Sequence, residues 1–121
     1  MRCEIEYTDE FEKWWDDLSE HAQIAVSAYV SLLEEHGVGL GFPYSSDIKI
    51  ASNSQMRELR PVYKGVPYRV LYAFDPRRMA ILLLGGDKTG APNWYDDFVP
   101  IADRLFEQHL LELKKEGMID G

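Results

Sequence analysis

The residues best equipped for chemistry are cations, and they gather in the middle of the chain. Arg57 and Arg60 stand in MRELR, Arg69 in YRVLY and Lys88 in LLLGGDKTG, with an aromatic pair, Trp94-Tyr95, close behind. Guanidinium and ammonium groups hold phosphate oxygens, and a neighbouring ring stacks a base, so the set suits a polyanion that carries bases. The same residues also allow a plainer arrangement, a salt-bridged sheet surface in which Glu58 pairs with Arg69 or Arg60. In an extended strand Met56, Glu58 and Arg60 alternate against Arg57 and Leu59. Only one of Arg57 and Arg60 therefore shares a face with Glu58.

LLLGGDKTG (residues 82–90) raises a second possibility, a glycine-rich loop that cradles a nucleotide's phosphates. Such a loop needs G-x-x-x-x-G-K-[ST] between a strand and a helix, so that backbone N–H groups and a helix N-terminus converge on the anion. Asp87 occupies the place of the second glycine, and Gly90, Ala91 and Pro92 follow where a helix should start. The nucleotide-loop reading fails. The segment reads instead as a strand end where Gly85 and Gly86 let the backbone turn and deliver Lys88 to the rim of a basic sheet.

Positioning these residues requires a sheet with helices packed on it. CEIEY alternates as a first strand, with Cys3 on its buried side, and Thr8 caps a short helix that opens on Asp9 and Glu10. Phe11, Trp14, Trp15 and Leu18 form one apolar stripe, which marks the tryptophans as core rather than as a platform for bases. Ser19 caps a second helix, with Ala22, Val26, Tyr29 and Leu33 on its buried side and Gly37 at its end. Almost no loop separates the two, which makes them a hairpin. Residues 37–47 form a crossing loop, followed by strand-like runs: a weak one at DIKI, then MRELRPVY, YRVLYAFD and MAILLLGG. Turns at Lys64-Gly65 and Asp75-Pro76 make the last three antiparallel neighbours. MAILLLGG is apolar almost throughout, as a central strand covered on both faces should be. A final helix runs from about Asp96 to Glu116, its regular part starting near Pro100 because proline suits only a first turn. The fold class is α+β: an N-terminal strand and helical hairpin on a twisted antiparallel sheet, with a C-terminal helix, in one domain over residues 1–121.

Net charge is −8, but the average conceals a division. Residues 47–90 hold eight basic residues against four acidic ones, a local excess of +4, so the remainder carries −12 to reach −8. Cys3 is the only cysteine, so neither an intramolecular disulfide nor a cysteine-based zinc site can form. His21, His36 and His109 are scattered without ligand spacing, and His109 falls on the apolar face of the last helix as a packing residue. No metal or other cofactor is expected. No apolar run approaches a membrane span or a signal region, so a cytoplasmic protein without membrane association is the expectation.

The run MRELRPVYKGVPYRVLYAFDPRRMAILLLGGDKTG, followed by NWY and a terminal helix with IAD near its start, resembles the HigB-type, Gp49-like branch of the RelE/ParE toxin superfamily. Its most specific pieces are ELR, then YR ahead of a hydrophobic strand and D-P, then GG-x-K, in that order across nearly the whole chain. The resemblance implies a microbial RNase fold and the toxin half of a type II toxin–antitoxin pair. It implies cleavage of mRNA on the ribosome by attack of a ribose 2′-OH on the adjacent phosphate, and a helix-turn-helix antitoxin as partner. By that correspondence Arg60, Arg69, Lys88 and Tyr95 are the catalytic residues: Arg60 and Arg69 on the phosphate, Lys88 as acid, Tyr95 stacking on or orienting a base. Arg57, Lys64, Arg77 and Arg78 are expected to bind RNA, and Glu58 is the available carboxylate for a general base. Two alternatives remain open, a ParE-like inhibitor of DNA gyrase and an inactive domain that binds an antitoxin.

Overall fold

The computed structural model describes residues 2–52 and 55–120. Strand β1 (Ile5–Tyr7) leads into α1 (Asp9–Asp16) and α2 (Glu20–His36); β2 (Ser45–Asp47), β3 (Met56–Leu59), β4 (Val62–Tyr63), β5 (Val66–Phe74) and β6 (Ala80–Asp87) follow, and α3 (Trp94–Lys115) closes the chain. The sheet order is β1-β6-β5-β3-β2, with β4 pairing β5 outside that path. All pairs are antiparallel except β1 with β6, which is parallel. The expected all-antiparallel sheet is corrected there: β1 joins β6 only through the long intervening chain, so no tight turn dictates its direction.

Local chemistry sets the helix ends. The Thr8 hydroxyl accepts from the Phe11 N–H at 3.0 Å and donates to the Leu83 carbonyl at 2.7 Å, capping α1 and pinning it to β6. Ser19 caps α2 through the Ala22 N–H, and Gly37 ends it at a φ of 57° that disfavours any side chain. Lys64 and Gly65 both take positive φ, the requirement of the two-residue hairpin turn between β4 and β5.

Two cores lie on the two faces of the sheet. Phe11, Val26 and Leu33 of the hairpin pack on Leu59, Val70, Tyr72, Ala80 and Leu82. On the other face Trp94, Val99, Ala102 and Phe106 of α3 pack on Met56, Leu71, Ala73, Ile81 and Leu83. Tyr72 pairs with Leu82 but Leu71 with Leu84, so Leu83 is an extra residue in β6. This bulge reverses the alternation beyond it: Leu84 packs on the α3 side like Leu83, and Gly86 meets Trp94.

Four expectations need adjusting. The weak strand at DIKI lies slightly earlier, at Ser45–Asp47, where it pairs with β3. Cys3 precedes β1, and its thiol donates to the Leu33 carbonyl of α2 at 3.4 Å. Helix α3 starts at Trp94 and carries Pro100 inside it, because the buried Trp94 anchors the first turns to the sheet. Gly85 and Gly86 do not turn the chain at all. Both lie within β6, where a Cβ would stand 2.1 Å from the Trp14 ring on one face and 2.7 Å from the Trp94 indole nitrogen on the other. The diglycine is a slot for two tryptophans, and Gly86 lets the start of α3 lie against the sheet.

Candidate functional site

At the end of the sheet where β3 and β6 finish and β5 begins, one buried carboxylate gathers four partners. Register does most of the placing: Ser46 lies directly opposite Glu58, while Glu58 faces Leu71 and so has Arg69 as a diagonal neighbour. Arg69 in turn faces Gly86, where Trp94 packs and brings Tyr95 over the sheet. Glu58 is 4% exposed and Arg69 5%. Glu58 Oε1 accepts from the Tyr95 hydroxyl at 2.6 Å and lies 3.4 Å from Arg69 Nε. Glu58 Oε2 accepts from the Ser46 hydroxyl at 2.7 Å and from Arg60 Nη1 at 3.0 Å. Three hydrogen bonds and one ion pair thus compensate the carboxylate, as a charge this deep requires. Glu58 anchors the cluster.

The cations around it have capacity left. Arg69 donates from Nε to the Tyr95 hydroxyl at 3.3 Å and from Nη1 to the Tyr68 carbonyl at 2.8 Å; Nη2 makes neither bond. Lys88 places Nζ 5.1 Å from the centroid of the Tyr95 ring and forms no ion pair among the described residues. Burial, and then the charge of Arg69, hold the Lys88 ammonium below its ordinary pKa. Burial, with the hydrogen bond to Glu58, pushes the Tyr95 phenol up, so it stays protonated and donates. Three cations surround one carboxylate, a local excess of +2, and of this cluster Lys88 and Tyr95 also line an open cleft of about 400 Å³ with Gly90, Ala91 and Pro92.

Arg60, Arg69, Lys88 and Tyr95 thus come together, with Glu58 and Ser46 among them. The other four basic residues lie elsewhere. Arg57 points to the hairpin side of β3, donating to the Leu40 carbonyl at 3.0 Å and pairing with Asp47. Lys64 sits in the β4–β5 turn with Nζ 5.5 Å from the Tyr63 ring centroid. Arg77 is clasped between Asp75 at 2.8 Å and Glu6 at 2.9 Å at the opposite end of β5, and Arg78 takes a positive φ in the turn beside it. His109 is more than a packing residue, because Nε2 meets Asp75 Oδ2 at 3.0 Å. Ser46 was not singled out from the sequence. A signal existed in SSD, whose alternation could pair with MREL, but it was submerged in a glycine-rich stretch.

A mixed sheet between a helical hairpin and a long C-terminal helix is the fold of the RelE toxins. The structure matches free Escherichia coli RelE, solved as a double arginine-to-alanine variant, with a TM-score of 0.57 at 9% identity over 78% of this chain and 92% of that one. It matches the RelBE2 toxin–antitoxin complex of Mycobacterium tuberculosis with a TM-score of 0.55 at 15% identity over 72% of this chain and 99% of that one. At such identities the likeness speaks for the fold. Sequence narrows it. The family model described as phage-derived protein Gp49-like matches residues 13–107. The M. tuberculosis sequence bearing the toxin name HigB3 is 44% identical over 100 residues, covering 82% of this chain and 86% of its own length. That bearing the name HigB2 is 37% identical over 103 residues, covering 84% of this chain and 51% of its own length. The chain belongs to the phage-derived Gp49-like family, and its relatives in sequence bear HigB toxin names.

Proposed function

We propose that the chain is the toxin of a type II toxin–antitoxin pair and cuts mRNA on the ribosome without a metal. One observation carries the reading: an excess of +2 around a buried carboxylate at the sheet end, beside a cleft that Lys88 and Tyr95 line. A phosphodiester supplies the missing negative charge. In the proposed reaction the ribose 2′-oxygen bonds to phosphorus, the bond to the 5′-oxygen breaks, and a cyclic phosphate is left. Arg69 and Arg60 hold the non-bridging oxygens, whose charge grows toward the transition state, so they stabilise it more than the ground state. Lys88 gives its proton to the leaving 5′-oxygen, a role its lowered pKa favours. Tyr95 and Ser46 keep Glu58 in place, and Glu58 keeps the two arginines apart and aimed. Glu58 is engaged by Tyr95, Ser46 and Arg60, and in this scheme the 2′-OH proton leaves to solvent. The reaction then depends on the ribosome to orient the substrate.

The RelBE2 toxin–antitoxin complex supports an antitoxin partner for this chain too, and we assign this chain's own antitoxin to the helix-turn-helix class. Among the described residues no helix is long and apolar enough to cross a membrane, which fits action on cytoplasmic ribosomes.

Induction in growing bacteria, with mRNA 5′ ends mapped by primer extension, tests the proposal. The wild-type chain should create new translation-dependent ends. Lys88→Ala should lower cleavage about 10²–10³-fold, the usual cost of one such charge-stabilising group. Intact mRNA with DNA-damage signalling would replace the reading by gyrase inhibition, and unaffected growth would leave only antitoxin binding.

A further inference from the structure

One aromatic ring near the cluster has no place in the scheme above. Phe42 is 76% exposed, the most exposed of the large hydrophobic side chains among the described residues. It precedes Pro43 in the segment between α2 and β2, with Tyr44, also exposed, two residues on. Its ring is not idle. The guanidinium carbon of Arg60 lies 5.4 Å from the ring centroid, while Nη1 of the same group is bonded to Glu58. Arg60 therefore joins the buried carboxylate directly to an exposed ring.

Tyr95, by contrast, is poorly suited to stacking. Its hydroxyl is tied to Glu58 at 2.6 Å, and its ring is half-buried against Trp94, 5.2 Å between centroids. The aromatic partner for a base has to come from elsewhere, and Phe42 is the ring the cluster itself holds. We propose that Phe42 is a nucleobase platform, on which a base next to the scissile phosphate stacks while Arg60 covers the opposite face. This rests on the reading of the cluster as a phosphodiester site and extends it to a base subsite. A cation on one side of a π-face and a base on the other is the arrangement that single-strand binders use. Charge continuity favours RNA over an apolar protein segment: whatever lies on the ring also meets the excess of +2 beside it.

The test separates stacking from cleavage. A short RNA made uncleavable by 2′-O-methylation, and an abasic chain of the same length, are titrated at low salt against wild type, Phe42→Ala, Phe42→Leu and Phe42→Trp. Phe42→Ala and Phe42→Leu should weaken binding of the base-bearing RNA about 10-fold, the scale of one lost stack, and leave the abasic chain unchanged. Phe42→Trp should restore affinity, with its fluorescence quenched by the base-bearing RNA only. Equal losses for both chains, no loss for either, or no binding by wild type overturns the platform. So does loss of antitoxin binding with RNA affinity intact, which would give the ring to a protein partner. Base-dependent losses in a chain that cuts no mRNA would sink the nuclease reading alone. Cleavage that is indifferent to Phe42, with binding likewise indifferent, would sink the platform alone.

Discussion

Two buried carboxylates stand at opposite ends of the sheet, each 4% exposed and each bonded to arginine, yet the charge around them balances in opposite ways. Asp75 and Glu6 share Arg77, and Asp75 also receives His109 and the N–H groups of Arg77 and Met79. Two carboxylates meet one guanidinium there, so no cation is left over. Burial alone would push the Asp75 carboxyl up, but the hydrogen bonds from His109 and Arg77 outweigh it and hold the pKa below the ordinary value. At the other end Glu58 is outnumbered by Arg60, Arg69 and Lys88, and the surplus is positive. The first network closes a turn. The second keeps a positive surplus, which a phosphodiester would balance in the function proposed above.

The sharpest way to break this comparison is Glu58→Ala. It leaves Arg69 buried without its partner and frees the Tyr95 hydroxyl, so the fold should lose about 3–5 kcal/mol, the usual cost of uncoupling a buried charge pair. Chemical denaturation measures that loss. Phosphate added to the folded variant should restore part of the stability, because an anion can stand in for the carboxylate. Unchanged stability would show that Glu58 is not what holds the cluster together.

Asp75→Asn should act on stability alone. Arg77 keeps Glu6, so the expected loss is about 1–3 kcal/mol, the cost of an imperfectly satisfied buried group, with mRNA cleavage unchanged. The pH dependence has a definite sign. A depressed folded pKa contributes stability above the ordinary aspartate value of 3.8, lost as pH falls through 3.8 toward the lower folded value. The gap between wild type and variant in thermal melts should therefore narrow below 3.8. A loss of cleavage at neutral pH, with the fold intact, would remove the division between the two ends.

The division was only partly legible in the sequence. Strand alternation predicts that only one of Arg57 and Arg60 shares a face with Glu58, and the structure makes it Arg60. Lys88 was legible by its place after a central strand, but the face it reaches was not. Counting by twos from Leu82 would send Lys88 to the hairpin side, and the extra residue at Leu83 redirects it to α3. Bulges come from pairing between distant segments, which local pattern does not encode. The diglycine misled for a related reason: glycine signals a turn or a close approach, and only Trp14 and Trp94 in place decide for the second. Asp75 read as a turn residue, and it is one, since its side chain accepts from Arg77 and Met79 N–H groups. What the sequence could not show is that His109, on the apolar face of the last helix and far along the chain, would reach it.

The smallest effect sharpens the contrast most. Folding lowers the pKa of Asp75, so its charge is favoured in place; folding also lowers the pKa of Lys88, so its charge is disfavoured in place. A lysine held charged against burial and a nearby guanidinium is relieved when phosphate binds. Its ammonium should be lost at a pH below the ordinary lysine value of 10.5, and cleavage should fall as pH rises through that lowered value. Lys88→Arg keeps the charge at every accessible pH. It should cleave within about 10-fold of wild type near neutrality, because the charge contribution survives while the proton donor is weakened. In rates measured against pH on programmed ribosomes, the falling limb should disappear from the variant. A limb that persists unchanged would assign the titration to another group and leave Lys88 as a fixed charge.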